Sequence, residues 1–389
     1  MNPNDVVITG IGLVSCLGEG ADAHWRAFRA PQLPPPVNTE AFPPYPVHMA
    51  PEIDLNLQIP KRGDQRQMES WQRLGVYTAG LALDDAGLKT DEAQCASMDM
   101  IVAAAGGERD IEVDETIMAG ADAAADFGVF LNERLTNDLR PTLFLAQLSN
   151  LLAGNISIVH KVTGSSRTMM GEEGAGVSAL ATAAARLRSG QSSHILIGAA
   201  LHSEAPDKLL IYETGQALHQ GPWQPVWSRT GAGGGVIVGT GSAFLVLETR
   251  EHAEARGRKP YAAIEKVVEG RARRADGGLA DGIRALAGEA GLDAPHLVVS
   301  GASGMNRITA AEHEALSDHA LRGYVSMTGH LRETQLLFGV ALAALAIANG
   351  ETMPPIGDDE TPFAGSPDRV AATSVSTTRG EGIAVLTKA

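Results

Sequence analysis

The stretch RTMMGEEGAG, residues 167–176, places two adjacent glutamates at the point where a helix is predicted to begin. The apolar segment NISIVHKVTGSS before it predicts a strand, and VSALATAAARLRSG after it predicts a closely packed helix of small residues. Backbone N–H groups at the start of a helix favour negative charge. Glu172 and Glu173 are therefore either ordinary first-turn residues, or one of them occupies a catalytic position.

Apolar runs that end in glycine alternate with helical patterns along the rest of the chain. VVITGIGLVS, MDMIVAAAGG and SHILIGAA predict buried strands, whereas SWQRLGVYTAGLALDDAGL carries apolar residues at helical spacing. This alternation predicts an α/β layered fold. From residue 261 the pattern starts again with YAAIEKVVEG, DGIRALAGEAG and HLVVSGASG. The repetition predicts two similar halves, residues 1–250 and 251–389.

The composition restricts the classes of partner. The 389 residues carry a net charge of −15 and are 44% hydrophobic, which allows a large core and argues against nucleic acid. An acidic surface also matches an acidic carrier protein poorly, unless a basic partner subunit supplies the docking patch. The longest apolar run, residues 336–348, is too short for a membrane span and predicts a buried helix. With no signal-peptide pattern, we expect a cytoplasmic protein with reduced Cys16 and Cys95.

Two other motifs do not predict a functional site. The glycine run at residues 231–241 precedes a strand, whereas a phosphate-binding loop follows a strand and opens a helix. Cys95, in QCAS, precedes a predicted strand, so no helix start lowers the pKa of its thiol, and we expect it to be structural. No metal-type spacing is present, and neither a cofactor nor a metal is expected.

Four ordered motifs resemble the β-ketoacyl-acyl-carrier-protein synthases. They are VVITGIGLVSCLG, NLLAGNISIVHKVTGSS, GSAFLVLETREHAEARGRKPYAAI and VSMTGHL, and they extend over nearly the whole chain. The resemblance implies a thiolase-like fold, in which two similar halves form five layers, α-β-α-β-α. It also implies a dimer, because in this family the strand just before the nucleophile lies at the dimer interface.

The resemblance also implies a degenerate active site. The family's chemistry needs a cysteine at the start of a buried helix and two histidines that stabilise the enolate and the oxyanion. Aligned on these motifs, Glu173 stands at the cysteine position and Gly301 at the first histidine, and only His330 is kept. A carboxylate cannot form the thioester intermediate as a thiolate does, so no independent condensing activity is expected.

Three further family features are replaced. Val325 stands where a lysine is usual, and RETQL, residues 332–336, replaces LGAAG. Near the C-terminus, SVSTTRGEG, residues 374–382, replaces a gate rich in glycine and phenylalanine. The departures therefore affect every catalytic element except one histidine.

Each of the remaining candidate residues has two interpretations. Glu173 either fills the cavity and hydrogen-bonds His330 or nearby amides, or it keeps a chemical role. His330 is either a buried structural histidine or a catalyst. Met169 and Met170, beside the family's interface strand, are either core side chains or a gate to an acyl tunnel, for which flexible thioethers are suited.

The resemblance extends to the family's degenerate subunits, the chain-length factors of type II polyketide systems, and to the branch that makes aryl polyenes. It implies a non-catalytic subunit that forms a heterodimer with an active ketosynthase, shapes the acyl tunnel, and meets acyl carrier protein through the complex. Arg167, where an apolar residue is usual, favours a heterodimer because a two-fold axis would bring two arginines together. A malonyl-carrier-protein decarboxylase and a homodimeric acyl-binding protein remain alternatives.

Overall fold

The computed structural model describes residues 2–229, 234–275, 277–293 and 295–389. The strands are β1 (Val6–Ser15), β2 (Gly18–Glu19), β3 (Asp99–Ala103), β4 (Ser166–Met169), β5 (His194–Leu201), β6 (Gly241–Thr249), β7 (Ala262–Gly270), β8 (Leu297–Ser300), β9 (Ala320–Gly323), β10 (Arg369–Val375) and β11 (Glu381–Thr387). The helices are α1 (Ala21–Arg29), α2 (Arg62–Gln67), α3 (Ser70–Ala86), α4 (Glu92–Ser97), α5 (Ile111–Ala121), α6 (Phe127–Asn137), α7 (Leu143–Ala146), α8 (Leu151–His160), α9 (Glu173–Arg188), α10 (Pro206–Glu213), α11 (Arg250–Ala255), α12 (Gly278–Glu289), α13 (Asn306–Ala315), α14 (Val325–Thr328) and α15 (Gln335–Asn349).

The strands form a continuous ladder in the order β4-β3-β5-β6-β1-β7-β11-β10-β8-β9, with β2 paired to β1. At one end β4, β3 and β5 are parallel, and at the other end β10, β8 and β9 are parallel. The strands between these two sets pair antiparallel. β1 and β7 join the two sets through a short contact, in which Val6 faces Ile264 and Ile8 faces Ala262.

Five layers follow from how the helices pack on this ladder. Helices α9 and α15 contact each other, and both pack on β6, β7, β10 and β11, so they form the central layer. Helices α3 and α8 cover β3 and its neighbours on one outer side, and α12 covers β7 and β11 on the other. Gly176 allows the close approach of α9, because a Cβ there would lie 2.4 Å from the carbonyl oxygen of Glu333. The predicted α/β fold with a five-layered, thiolase-like arrangement is confirmed.

One predicted element was wrong. The segment NISIVHKVTGSS does not form a strand, because most of its apolar part lies in α8. Leu152 and Ile156, one helical turn apart, are both fully buried, and this packing outweighs the strand preference of the β-branched residues. The helix ends at Lys161, whose φ of 61° is left-handed. The strand that precedes the two glutamates is the shorter β4.

Other predictions hold within the described residues. Residues 336–348 lie in α15 and nearly all are buried. No described helix is both long and apolar enough to cross a membrane. Residues 231–233 of the glycine run lie outside the described residues. The division of the chain near residue 250, between the end of β6 and the start of β7, stays a prediction.

Candidate functional site

The site is built around the start of α9. Glu172 is the residue at which the helix begins, and Glu173 is its first helical residue. The chain turns from β4 into α9 at Gly171, whose φ of 146° favours glycine. Glu173 points inward and is 1% exposed, whereas the side chain of Glu172 stays partly exposed. The two adjacent glutamates therefore have different surroundings.

Glu173 is held as a carboxylate by three neighbours. The Ser376 hydroxyl donates a 2.8 Å hydrogen bond to Oε2. His330 Nε2 lies 2.9 Å from Oε1, an ion-pair distance when the imidazole is protonated, although the ring is not oriented for a hydrogen bond. Burial favours the neutral acid, but the imidazole, a backbone amide and Ser376 together outweigh it and lower the pKa of Glu173 to about 2.

His330 is fixed by the backbone on both sides. It follows Gly329, whose φ of 74° is left-handed, and it is fully buried. Its N–H donates to the Ile237 carbonyl at 2.8 Å, and its carbonyl accepts from the Gly239 N–H at 3.1 Å. The Tyr212 ring meets the imidazole edge-on, with 5.8 Å between centroids. The imidazole is thus confined between Glu173 and an aromatic ring.

The position aligned with the first histidine has no room for a side chain. Gly301 follows β8, and a Cβ there would lie 2.7 Å from Cγ of Gln335 and 2.8 Å from the Thr373 carbonyl oxygen. The Gln335 amide donates to the Gly301 carbonyl at 2.9 Å and accepts from the Leu331 N–H at 2.7 Å. Gln335 lies within RETQL, the segment predicted to replace LGAAG, and this contact of its side chain was not predicted from the sequence.

The turn between β10 and β11 closes over the helix start. The Ser376 hydroxyl accepts from the Thr378 and Arg379 N–H groups at 3.2 and 3.1 Å while donating to Glu173. The Thr378 hydroxyl donates to Glu172 Oε2 at 2.5 Å. This turn is part of SVSTTRGEG, so the segment that replaces the family's gate is hydrogen-bonded to both glutamates.

Two more buried acids lie near the site. Glu333 accepts from the Ala105 N–H at 3.2 Å, and Glu312 accepts from the hydroxyls of Ser300 and Thr373 at 2.7 and 2.6 Å. Burial raises the pKa of both carboxyls. Val325, at the lysine position, is fully buried. Sequence reasoning missed both acids. Among the described residues, no cluster of His, Cys, Asp and Glu fits a metal ion.

The three predicted interface residues lie together on β4 and its continuation. β4 is the outermost strand, and it pairs only with β3 within the described part of the chain. Arg167 is exposed, Met169 packs partly against the core, and Met170 is 72% exposed. Met169 and Met170 also line a cleft of 750 Å³ that extends to the β10–β11 turn.

Cys95 occupies a buried position that fits a structural role. Its thiol donates to the Leu88 carbonyl at 3.3 Å, and burial raises its pKa. A buried thiol with a raised pKa is a poor nucleophile.

Comparison with known proteins identifies the family. Residues 48–253, more than half of the chain, match the family model described as the β-ketoacyl synthase N-terminal domain. The chain belongs to the β-ketoacyl synthase family. It is 26% identical to 3-oxoacyl-[acyl-carrier-protein] synthase 2 of Vibrio harveyi, over 68% of this chain and 62% of that protein. It is 27% identical to the tetracenomycin polyketide synthase ketoacyl synthase beta subunit of Streptomyces glaucescens, over 91% of this chain and 88% of that protein.

Solved structures show the same fold. The ishigamide ketosynthase/chain length factor superposes with a TM-score of 0.78 at 21% identity, covering 99% of both chains. A β-ketoacyl synthase from Burkholderia phymatum gives 0.77 at 19% identity, again over 99% of both chains. The family resemblance that the four sequence motifs predicted is confirmed.

Proposed function

We propose that this chain is a non-catalytic, chain-length-factor-like partner of an active β-ketoacyl-acyl-carrier-protein synthase in a type II polyketide or fatty-acid-like pathway. The observation that carries the proposal is the closed start of α9, where Glu173 is buried beneath the β10–β11 turn. A carboxylate with a pKa of about 2 lies where the family's thiol would be, 1% exposed and bonded to Ser376. Carrying an acyl chain as a thioester needs a reachable thiolate.

The space around this carboxylate also supports the proposal. Gln335 fills the space predicted for the first histidine. The β10–β11 turn lies across the start of α9 and is hydrogen-bonded to its glutamates. A decarboxylase would have to admit a malonyl group beside His330, which is fully buried. The decarboxylase alternative therefore has less support than the partner role.

The edge of the ladder supports pairing with another chain. An outermost strand presents unpaired N–H and C=O groups and is a template for a further strand. Two large apolar side chains close to β4 are exposed in the single chain, namely Ile158 on α8, which packs against β4, and Met170, which directly follows β4. Two-fold self-pairing would bring two Arg167 side chains together, whereas a different chain can offer an acidic or polar group.

The names of relatives agree with this role. A relative is named a ketoacyl synthase beta subunit, and a solved structure of the same fold is titled a ketosynthase/chain length factor. Another is titled as a type II acyl-carrier protein in complex with its ketosynthase. By analogy we propose that acyl carrier protein meets this chain within the heterodimer. The aryl polyene branch and the cytoplasmic location stay predictions.

Co-purification tests the proposal. The chain is co-expressed with the ketosynthase of the neighbouring gene, provided that this enzyme has an intact Cys-His-His set, and each chain and the mixture are analysed by light scattering. We expect a stable heterodimer that condenses malonyl units only when both chains are present. A soluble homodimer of this chain that ignores the ketosynthase, or carbon dioxide release from malonyl carrier protein by this chain alone, would contradict the partner role.

A further inference from the structure

Glu312 is an acid that lies behind the candidate site. It belongs to α13 and is fully buried. Its Oε1 accepts from the Ser300 hydroxyl at 2.7 Å and from the Thr373 hydroxyl at 2.6 Å. Its Oε2 has no hydrogen-bond partner among the described residues. We call this carboxyl group and the two hydroxyls the Glu312 contact.

The Glu312 contact joins three elements at one point. Ser300 is the last residue of β8, and it pairs with Thr373 on the parallel strand β10. The Thr373 carbonyl accepts from the Gly301 N–H at 3.0 Å, and the Ser300 hydroxyl accepts from the Ala302 N–H at 3.1 Å. The contact from α13 therefore fixes the start of the loop after β8 and the part of β10 that leads to the β10–β11 turn.

No cation among the described residues forms an ion pair with Glu312. β8, α14, α15 and residues 226–228, which pack against α13, contain no charged side chain. The titratable groups that act on Glu312 are His313, the next residue of α13, and Tyr324 after β9. The charged side chains on the other neighbouring elements have other partners: Arg322 on β9, Arg369 on β10, and Asp281 and Arg284 on α12.

Burial has the largest influence on the ionisation of this carboxyl group. It raises the pKa of Glu312, although the two hydroxyls and the charge of His313 act in the opposite direction. A buried carboxylate without a cationic partner is costly, because its charge loses the hydration that water provides. The neutral acid avoids this cost, and its Oε1 still accepts from both hydroxyls.

We propose that protonation of Glu312 is a pH-sensitive switch for this part of the fold. The neutral acid holds α13 against β8 and β10, so the loop after β8 and the end of β10 stay closed. Loss of the proton leaves an unpaired charge in the core, and water reaches this charge only when α13 moves away from the two strands. Because β10 leads into the turn that covers the start of α9, the same step loosens the cover over Glu173. The switch is a property of this chain and does not depend on the proposed function.

Infrared spectroscopy tests the protonation step. A protonated carboxyl group has a carbonyl stretch that a carboxylate lacks, so the difference between wild type and Glu312→Gln isolates the signal of this acid. The full chain is measured over a pH series in the assembly in which it purifies. We expect the signal to remain at pH values above 4.5, the ordinary pKa of a glutamic acid. A signal that is already lost at that pH overturns the switch.

Ser300→Ala tests the direction of the effect. The substitution removes a hydroxyl that stabilises the carboxylate form, so the infrared midpoint of Glu312 should move to higher pH. An unchanged midpoint, or one at lower pH, contradicts the geometry of the Glu312 contact and overturns the switch.

Hydrogen exchange tests the opening itself. Amides of residues 301–304 and 369–376 are measured below and above the infrared midpoint, and each rate is corrected for the intrinsic pH dependence of exchange. In wild type we expect protection to fall at least about tenfold when Glu312 ionises. Glu312→Gln has nearly the same shape and does not ionise, so it should keep its protection at both pH values. Glu314→Gln, an exposed site on the same helix, is the matched control and should behave like wild type.

Each remaining outcome is decisive. Equal protection in wild type on both sides of the midpoint overturns the switch, and so does a Glu312→Gln variant that opens with pH as wild type does. If Glu312→Gln does not fold, Ser300→Ala provides the exchange test, because its protection should then fall at a higher pH than in wild type. A fall at the same or a lower pH overturns the inference.

Discussion

At the scale of single residues, Glu173 is an acid whose ionisation contributes to stability. Its pKa is about 2 in the folded chain, because the imidazole, amide and hydroxyl contacts outweigh the cost of burial. A carboxyl with a lowered folded pKa stabilises the fold above its ordinary pKa and loses that contribution as the pH falls toward the folded value. We expect Glu173→Gln to lose on the order of 2–3 kcal/mol of unfolding free energy at neutral pH.

The pH dependence distinguishes this charge effect from a loss of packing. Urea unfolding of both proteins should show a difference that shrinks as the pH is lowered from about 5 to about 3. Glu172→Gln is the control, because this partly exposed neighbour should change stability by less than about 0.5 kcal/mol. A loss in Glu173→Gln that is the same at every pH would contradict the assigned pKa.

Gly301 offers a second test at the residue scale. A methyl group there would meet Gln335 and the Thr373 carbonyl at less than 3 Å, and the carbonyl belongs to a buried strand that cannot easily move. We expect Gly301→Ala to lower the unfolding free energy by about 1–3 kcal/mol through overpacking. Gly288→Ala is the matched control, because nothing lies within 4 Å of that site and alanine favours a helix. Equal effects of the two substitutions on the unfolding free energy would show that Gln335 and the Thr373 carbonyl do not fill the space beside Gly301.

The same region leads us to expect that a thiol at position 173 would not become acylated. Glu173→Cys would place a sulfur at the start of α9, but Gln335 would still fill the space beside Gly301, the predicted position of the first histidine, and the β10–β11 turn would still cover the helix start. We expect no acyl adduct on this variant after incubation with acylated carrier protein, as measured by intact mass. A stoichiometric adduct would mean that the site opens to acylated carrier protein, and the closed helix start would then no longer support a non-catalytic role.

At the scale of elements, the sequence predicts the helices and strands that have a clear apolar periodicity, and the order of the motifs predicts the fold. β1, α3 and α15 follow directly from their apolar patterns, and four motifs were enough for the fold. Helix α8 was missed because whether a β-branched run becomes helix or strand depends on which neighbours bury it. The Gln335 contact with Gly301 was missed because it joins segments that only the folded chain brings together.

The edge strand β4 carries a prediction about partner choice. Arg167 is exposed at the outermost position of the ladder, so self-association would bring two like charges together. We expect Arg167→Leu to strengthen the homodimer by roughly tenfold or more, measured by sedimentation velocity, since it removes the repulsion and adds apolar surface. Arg62→Leu removes the same charge from α2 and should leave self-association unchanged. An unchanged homodimer in Arg167→Leu would place the partner contact elsewhere.

At the scale of the whole molecule, charge and apolar surface are distributed unevenly. Residues 271–276 carry three arginines and one aspartate, whereas residues 108–138 carry nine acids and two arginines. This second segment contains α5 and α6, which pack on each other, and α6 has no buried residue. Met118, Phe127 and Val129 are 76%, 49% and 56% exposed. A helical pair with so little buried surface has little tertiary stabilisation of its own in the single chain.

Hydrogen exchange tests whether a partner chain stabilises α5 and α6. In the isolated chain we expect amides of α5 and α6 to exchange close to the rate of an unstructured peptide, because few buried contacts oppose local opening. In the heterodimer we expect them to be protected by at least about tenfold, since covering the exposed apolar side chains stabilises the closed form. Helix α15, which is almost completely buried, is the internal control and should exchange slowly in both states. Full protection in the isolated chain would show that the helical pair is stable alone. Unchanged fast exchange in the heterodimer would place the partner on another face, and the exposed apolar residues of α5 and α6 would then have no role in assembly.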